Sequence, residues 1–126
     1  MICRLDHVNV RTADLAGLVR FYTDVLGLTN GERPPFSFPG AWLYAGEQAV
    51  IHLVGVEQQL PLEGALTLEH FAFSASNLRE FLARLERLRV EYQRSRQAGT
   101  GNVVLNLRDP DGNHFHVDFP ASEASD

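Results

Sequence analysis

The chain has 126 residues, is 44% apolar and carries a net charge of −5; its basic residues are all arginine. With no lysine, Schiff-base chemistry and a P-loop are excluded, and an acidic chain without a basic stripe makes no nucleic-acid footprint. No apolar run approaches the ~20 residues of a membrane-spanning helix, no secretory leader is read at the N-terminus, and the single Cys3 allows no internal disulfide, all of which fits a reducing cytoplasm.

In chain order, a strand is predicted over about 4–11. Thr12 or Asp14 then caps a helix whose apolar face is Leu15, Leu18, Val19, Tyr22 and Leu26 and which stops at Gly27. Strands follow at about 28–33, 41–45 and 48–54. Residues 60–64 read as a linker. The plan then repeats: a strand over about 66–74, Ser76 or Asn77 as cap, and a helix with Leu78, Phe81, Leu82 and Leu85 on its apolar face. These four lie 63 residues beyond Leu15, Leu18, Val19 and Tyr22. Strands at about 90–94, 102–108 and 113–119 complete the second copy. Residues 97–101 read as a mobile loop, and Asp109-Pro110-Asp111-Gly112 as a tight hairpin turn. The expected architecture is α+β in one domain: two tandem βαβββ modules, about 2–59 and 65–120, with the helices on the outer face.

Four histidines keep the same register. His7 and His70 are 63 residues apart at the first strand of each module; His52 and His116 are 64 apart in the last. Strand side chains alternate between faces. With Val8 and Val10, Phe71 and Phe73, Ala49, Ile51 and Leu53, and Phe115, Val117 and Phe119 toward the helices, all four imidazoles face the other way. Imidazole ligates zinc, nickel, iron and copper, and rigid strands hold ligands to the tolerance a metal requires. Wet-cavity histidines bonded to water or backbone are the alternative, but scattered core residues have no reason to repeat in register. His7, His52, His70 and His116 are therefore the expected metal ligands. His114, two residues from His116 on the same face, reads as a cavity residue behind the ligands or a substitute for His116. Asp118 is a candidate hydrogen-bond partner of a ligand imidazole.

Leu5-Asp6-His7-Val8, the run Phe21-Tyr22-Thr23-Asp24-Val25-Leu26-Gly27-Leu28, Leu68-Glu69-His70 and the Asp109–Asn113 turn before a strand together resemble the vicinal oxygen chelate superfamily over about residues 2–119. That group includes glyoxalase I, extradiol dioxygenases, fosfomycin-resistance thiol transferases, methylmalonyl-CoA epimerase and bleomycin-resistance proteins. The resemblance implies paired βαβββ modules curled into a half-barrel around a central cavity. It also implies a divalent metal (zinc, nickel, cobalt, manganese or ferrous iron) held by a residue from the first and the last strand of each module. The last-strand ligands in such proteins are often glutamates, whereas His52 and His116 stand here. Four neutral imidazoles leave the cation's charge at full strength, and the glutamate that glyoxalase-like members use to move a substrate proton is lost.

The resemblance implies a small metal-dependent enzyme that chelates two neighbouring oxygens of a small substrate, with isomerase, lyase or transferase chemistry. An extradiol-type iron(II) dioxygenase using His7, His70 and His116 is one alternative. A non-catalytic binder like the bleomycin-resistance proteins is another. A homodimer whose subunits share their sites is also implied. Of the aromatic stretch 34–44, Phe36 and Phe38 read equally as pocket wall and as packing, and Trp42 and Tyr44 as core aromatics. Arg79, Arg84, Arg87 and Arg89 with Glu80 and Glu86 read as a solvated charged helix face, and Cys3 as a small hydrophobe at a strand start.

Overall fold

The computed structural model describes residues 1–58 and 67–124; the predicted linker at 60–64 lies outside them. The chain separates into two units, Met1–Pro61 and Leu62–Asp126.

In the first unit β1 (Val8–Thr12) leads to α1 (Leu15–Asp24), then β2 (Thr29–Gly31), β3 (Gly40–Ala45) and β4 (Gln48–Gly55). In the second, β5 (Phe71–Ser74) leads to α2 (Leu78–Arg87), β6 (Gln93–Arg96), β7 (Val103–Arg108), β8 (His114–Phe119) and a 3₁₀ turn over Ala121–Glu123. Each unit is thus a βαβββ module with a four-stranded mixed sheet, in the orders β1-β4-β3-β2 and β5-β8-β7-β6. The last strand returns beside the first and parallel to it. The registers correspond: Val8 faces Ile51 and Asn9 faces His52, as Phe71 faces Phe115 and Ala72 faces His116. This return brings each module's two histidine positions to the same place on its sheet.

The core explains which way they point. Ala41, Leu43, Ile51 and Leu53 are buried on one face of the first sheet with Leu18, Tyr22 and Val25. Leu105, Leu107, Phe115, Val117 and Phe119 are buried in the second with Leu78, Phe81 and Leu85. Phe81 meets Phe119 with ring centres 5.5 Å apart, which docks α2 on β8. Full burial of such a side chain is worth roughly 1.5–3 kcal/mol, so alternation leaves His52 and His116 no choice but the opposite face.

Several boundaries differ from the sequence expectation. β1 starts at Val8 and β5 at Phe71, so His7 and His70 stand just ahead of their strands. β2 is three residues long, and β6 begins at Gln93 instead of Val90. Val25, just past the end of α1, is buried, while Leu26 is half-buried. Asp14 caps α1 by accepting from the Gly17 N–H at 3.1 Å, and Thr12 Oγ1 accepts from the Asp14 N–H. Asn77 occupies the cap position of α2 at φ +68° but makes no cap bond. Glu123 supplies it instead, its Oε1 accepting from the Leu78 N–H at 2.8 Å. The 97–101 loop is a bonded turn: Gly101 N donates to Gln97 O, Thr100 Oγ1 to Gln97 Oε1, and Arg96 Nε to Gly101 O.

The hairpin before β8 is built on Asp109, which is 4% exposed. Its Oδ1 accepts from the Asp111 and Asn113 N–H groups at 3.0 and 2.9 Å, its Oδ2 from Asn113 Nδ2 at 2.8 Å, and Gly112 completes the turn at φ +88°. This turn sets where His114 and His116 begin.

Candidate metal centre

In the first module His7 and His52 stack face to face, ring centres 3.7 Å apart and planes 11° from parallel. Trp42, directly across the sheet from His52, covers its other face at 3.9 Å and 11°. His52 is therefore the middle of a three-ring stack. Burial, and then the charge of nearby His7, hold its pKa below the ordinary 6.5. His7 is 38% exposed, and its Nδ1 lies 2.8 Å from Asp6 Oδ2, a bond that draws the Asp6 carboxyl below its ordinary range.

The second module is polar where the first is aromatic. His70 Nδ1 lies 3.2 Å from Glu69 Oε1. His116 Nδ1 lies 2.5 Å from Asp118 Oδ1. His70 and His116 have ring centres 4.6 Å apart, inclined at 39°. His114 is held at both nitrogens, Nδ1 by Glu69 Oε2 at 2.6 Å and Nε2 by the Asn106 side chain at 2.8 Å. Bonds to His114 first, and His70 second, lower the pKa of Glu69. An open hollow of about 1020 Å³ adjoins this cluster, lined in part by Glu91, Tyr92, Asn106, Arg108 and His114.

A carboxylate only accepts, so the ring nitrogen facing it is the protonated one. In the neutral ring of His7, His70 or His116 this contact favours the proton on Nδ1 and leaves the lone pair on Nε2, the arrangement usual for metal-bound imidazole. The second module offers donors that fit a divalent ion on this ground, and its His70 and His116 rings are inclined instead of stacked face to face. The first module fits one ligand at a time. A bound ion lies near the ring plane about 2.1 Å from the nitrogen, and no such point is common to rings stacked 3.7 Å apart.

Sequence reasoning missed Glu69. Among the described residues, Glu69, His70 and His114 offer ligand atoms all within 4.8 Å of one another. The signal was present in the repeat: Glu69 precedes His70 as Asp6 precedes His7. Trp42, expected in the core, lies on the imidazole face, whereas its strand neighbours Ala41 and Leu43 are buried toward the helix. Phe36 and Phe38 are exposed beside it, with Phe36 6.4 Å from the Trp42 ring.

A glyoxalase family protein of Bacillus anthracis superposes with a TM-score of 0.78 at 22% identity, covering 95% of this chain and 97% of that one. The lactoylglutathione lyase of Agrobacterium tumefaciens superposes at 0.66 with 24% identity, covering 94% and 95%. In sequence, the lactoylglutathione lyase of Salmonella typhimurium is 31% identical over 120 residues, 86% of this chain and 87% of that protein. Residues 4–117 carry the family pattern itself, and the chain belongs to the glyoxalase/bleomycin resistance protein/dioxygenase superfamily.

Proposed function

We propose that the chain is a metal-dependent enzyme of glyoxalase-like type acting on a small molecule with two adjacent oxygens. The observation that carries this reading is the carboxylate on Nδ1 of the imidazole ahead of the first strand in both modules, Asp6 on His7 and Glu69 on His70; Asp118 stands likewise on His116, and Glu69 also on His114. Structural histidines need no such partner in both copies of a repeat; ligands do, because it orients the ring and raises its basicity. Similarity to a lactoylglutathione lyase supports lyase-type chemistry.

A divalent metal held at Nε2 of His70 and His116, or at His7 or His52, would supply positive charge to paired substrate oxygens. The chain's own residues do the rest. Asp118 and Glu69 hold the second-module imidazoles in one tautomer. Asn106 and Glu69 together fix His114 at the edge of the hollow. Glu69, ionised and held below its ordinary pKa, is a poor proton acceptor near neutrality, so its work is positioning.

One observation favours a second reading. Glu69, His70 and His114 are a two-histidine, one-carboxylate set, the donor type of non-haem iron(II) oxygenases. Its use would require His114 to surrender a hydrogen bond. A homodimer with shared sites and a cytoplasmic location belong to the same proposal, the latter resting on the exposed thiol of Cys3.

Elemental analysis of protein purified anaerobically, repeated on His70→Ala, tests the centre. About one divalent ion per chain, lost in the variant, is expected; a chain that takes up no metal on reconstitution overturns it. Turnover of a hemithioacetal under nitrogen supports the lyase, and oxygen uptake with ferrous iron the dioxygenase. Sedimentation reads the dimer.

A further inference from the structure

The segment between β2 and β3 presents two phenyl rings to solvent, Phe36 at 44% and Phe38 at 43% exposure. They are held there. The rings stack with centres 5.0 Å apart and planes 14° from parallel. The Arg33 guanidinium sits 5.0 Å from both ring centres, and its Nη2 donates to the Phe38 carbonyl at 2.9 Å. Phe36 N donates to Pro34 O at 2.7 Å, and Gly55 N donates to Pro39 O at 2.9 Å, tying the end of the loop to β4. Gly40 lets the parts approach: a Cβ there would stand 2.4 Å from the Leu53 carbonyl and 2.8 Å from Arg33 Nη2. Three prolines, Pro34, Pro35 and Pro39, restrict the same stretch.

Exposed phenyl rings usually fold back onto apolar surface; this loop keeps a pair open. The pair continues a ladder of rings: Phe38 on Phe36, Phe36 near Trp42, Trp42 on His52, His52 on His7. Rings fixed before binding lose little freedom when a ligand stacks on them. Aromatic pairs favour centre distances of about 4.5–7 Å, the range in which Phe36 already meets Phe38 and Trp42. The Arg33 charge beside the phenyl rings selects further for an electron-rich or anionic π-system.

We infer that Phe36, Phe38 and Trp42 seat a planar aromatic ring of the substrate, whose adjacent oxygens reach the imidazole end of the same ladder, His52 and His7. The position of the oxygens rests on the metal-centre reading; the ring seat rests on the aromatic geometry alone.

The test compares phenylglyoxylate with cyclohexylglyoxylate on the full chain, with and without added nickel, following the emission of Trp42, the chain's single tryptophan. Both probes carry the same oxygens on a six-membered ring, and only one ring is planar. The phenyl compound is expected to bind about fivefold tighter, whether or not nickel is present. Phe36→Leu with Phe38→Leu, which keeps the apolar surface, should remove that preference. Equal affinities in the parent chain, or a preference that survives in the double variant, overturn the inference. So does a double variant that turns a dimer into a monomer with its ring preference intact, because the phenyl rings then serve contact between copies. Nickel should tighten both probes alike; if it tightens neither, the metal-centre reading fails while the ring seat stands.

Discussion

Trp42 and His52 are direct partners across β3 and β4, and their rings lie face to face with centres 3.9 Å apart. The corresponding pair in the second module is Asn106 and His116, where the neighbour is an amide and the imidazole is bonded to Asp118. The two modules share register and differ in chemistry. One surrounds its strand histidine with π-surface, the other with hydrogen-bonding groups.

Trp42→Leu keeps an apolar cover over His52 but removes the ring-on-ring contact, worth about 0.5–1.5 kcal/mol beyond area burial. A thermal midpoint lower by a few degrees is expected in calorimetry. The smaller side chain also exposes His52, so its pKa should rise toward the ordinary 6.5, read from imidazole proton shifts in NMR.

Acid should destabilise the fold in two stages. His52 is held below 6.5, so the folded chain binds fewer protons there than the unfolded chain does. Its stabilising contribution is full above that value and is lost as pH falls through the lower folded value. Asp6 and Glu69, held low by His7 and by His114 with His70, add a further loss below their ordinary 3.8 and 4.5. Urea midpoints should therefore begin to decline as pH falls through the ordinary 6.5. His52→Phe should flatten that first decline and leave the second.

Asp118→Asn preserves shape but no longer compels Nδ1 of His116 to carry the proton. Metal affinity should fall about 10- to 100-fold, with the fold unchanged because Asp118 is 26% exposed. Competition against a chromophoric chelator reads it. An unchanged affinity would remove Asp118 from the metal site.

Asp109→Ala strips three acceptor contacts from the hairpin ahead of β8 and orphans two backbone N–H groups. The cost should be about 3 kcal/mol in urea unfolding, and about 1 kcal/mol for Asp109→Asn, which retains an oxygen. Metal affinity should weaken in the alanine variant, since this turn sets the start of the strand bearing His114 and His116.

The duplicated plan, both helix faces and the outward direction of His52 and His116 were legible because each rests on periodicity, and periodicity is written in the chain. Asp118 was legible for the same reason, two residues from His116 on one strand face. Glu69 was hidden because its two imidazole partners lie next to it in sequence and 45 residues away, and only the pairing of β5 with β8 brings His114 to it. The cap of α2 was hidden likewise, since Glu123 reaches Leu78 from the far end of the module. Trp42 was misassigned because its hydrophobicity outweighed its place in the alternation: between buried Ala41 and Leu43 it could only face His52.

Ile51 and Leu53 around position 52, and Phe115 and Val117 around position 116, aim those side chains whatever the side chains are. The frame is therefore indifferent to its cargo. A descendant of this chain can trade nitrogen for oxygen at either place, one substitution at a time, and alter the chemistry the sheet presents without renegotiating how the polypeptide folds.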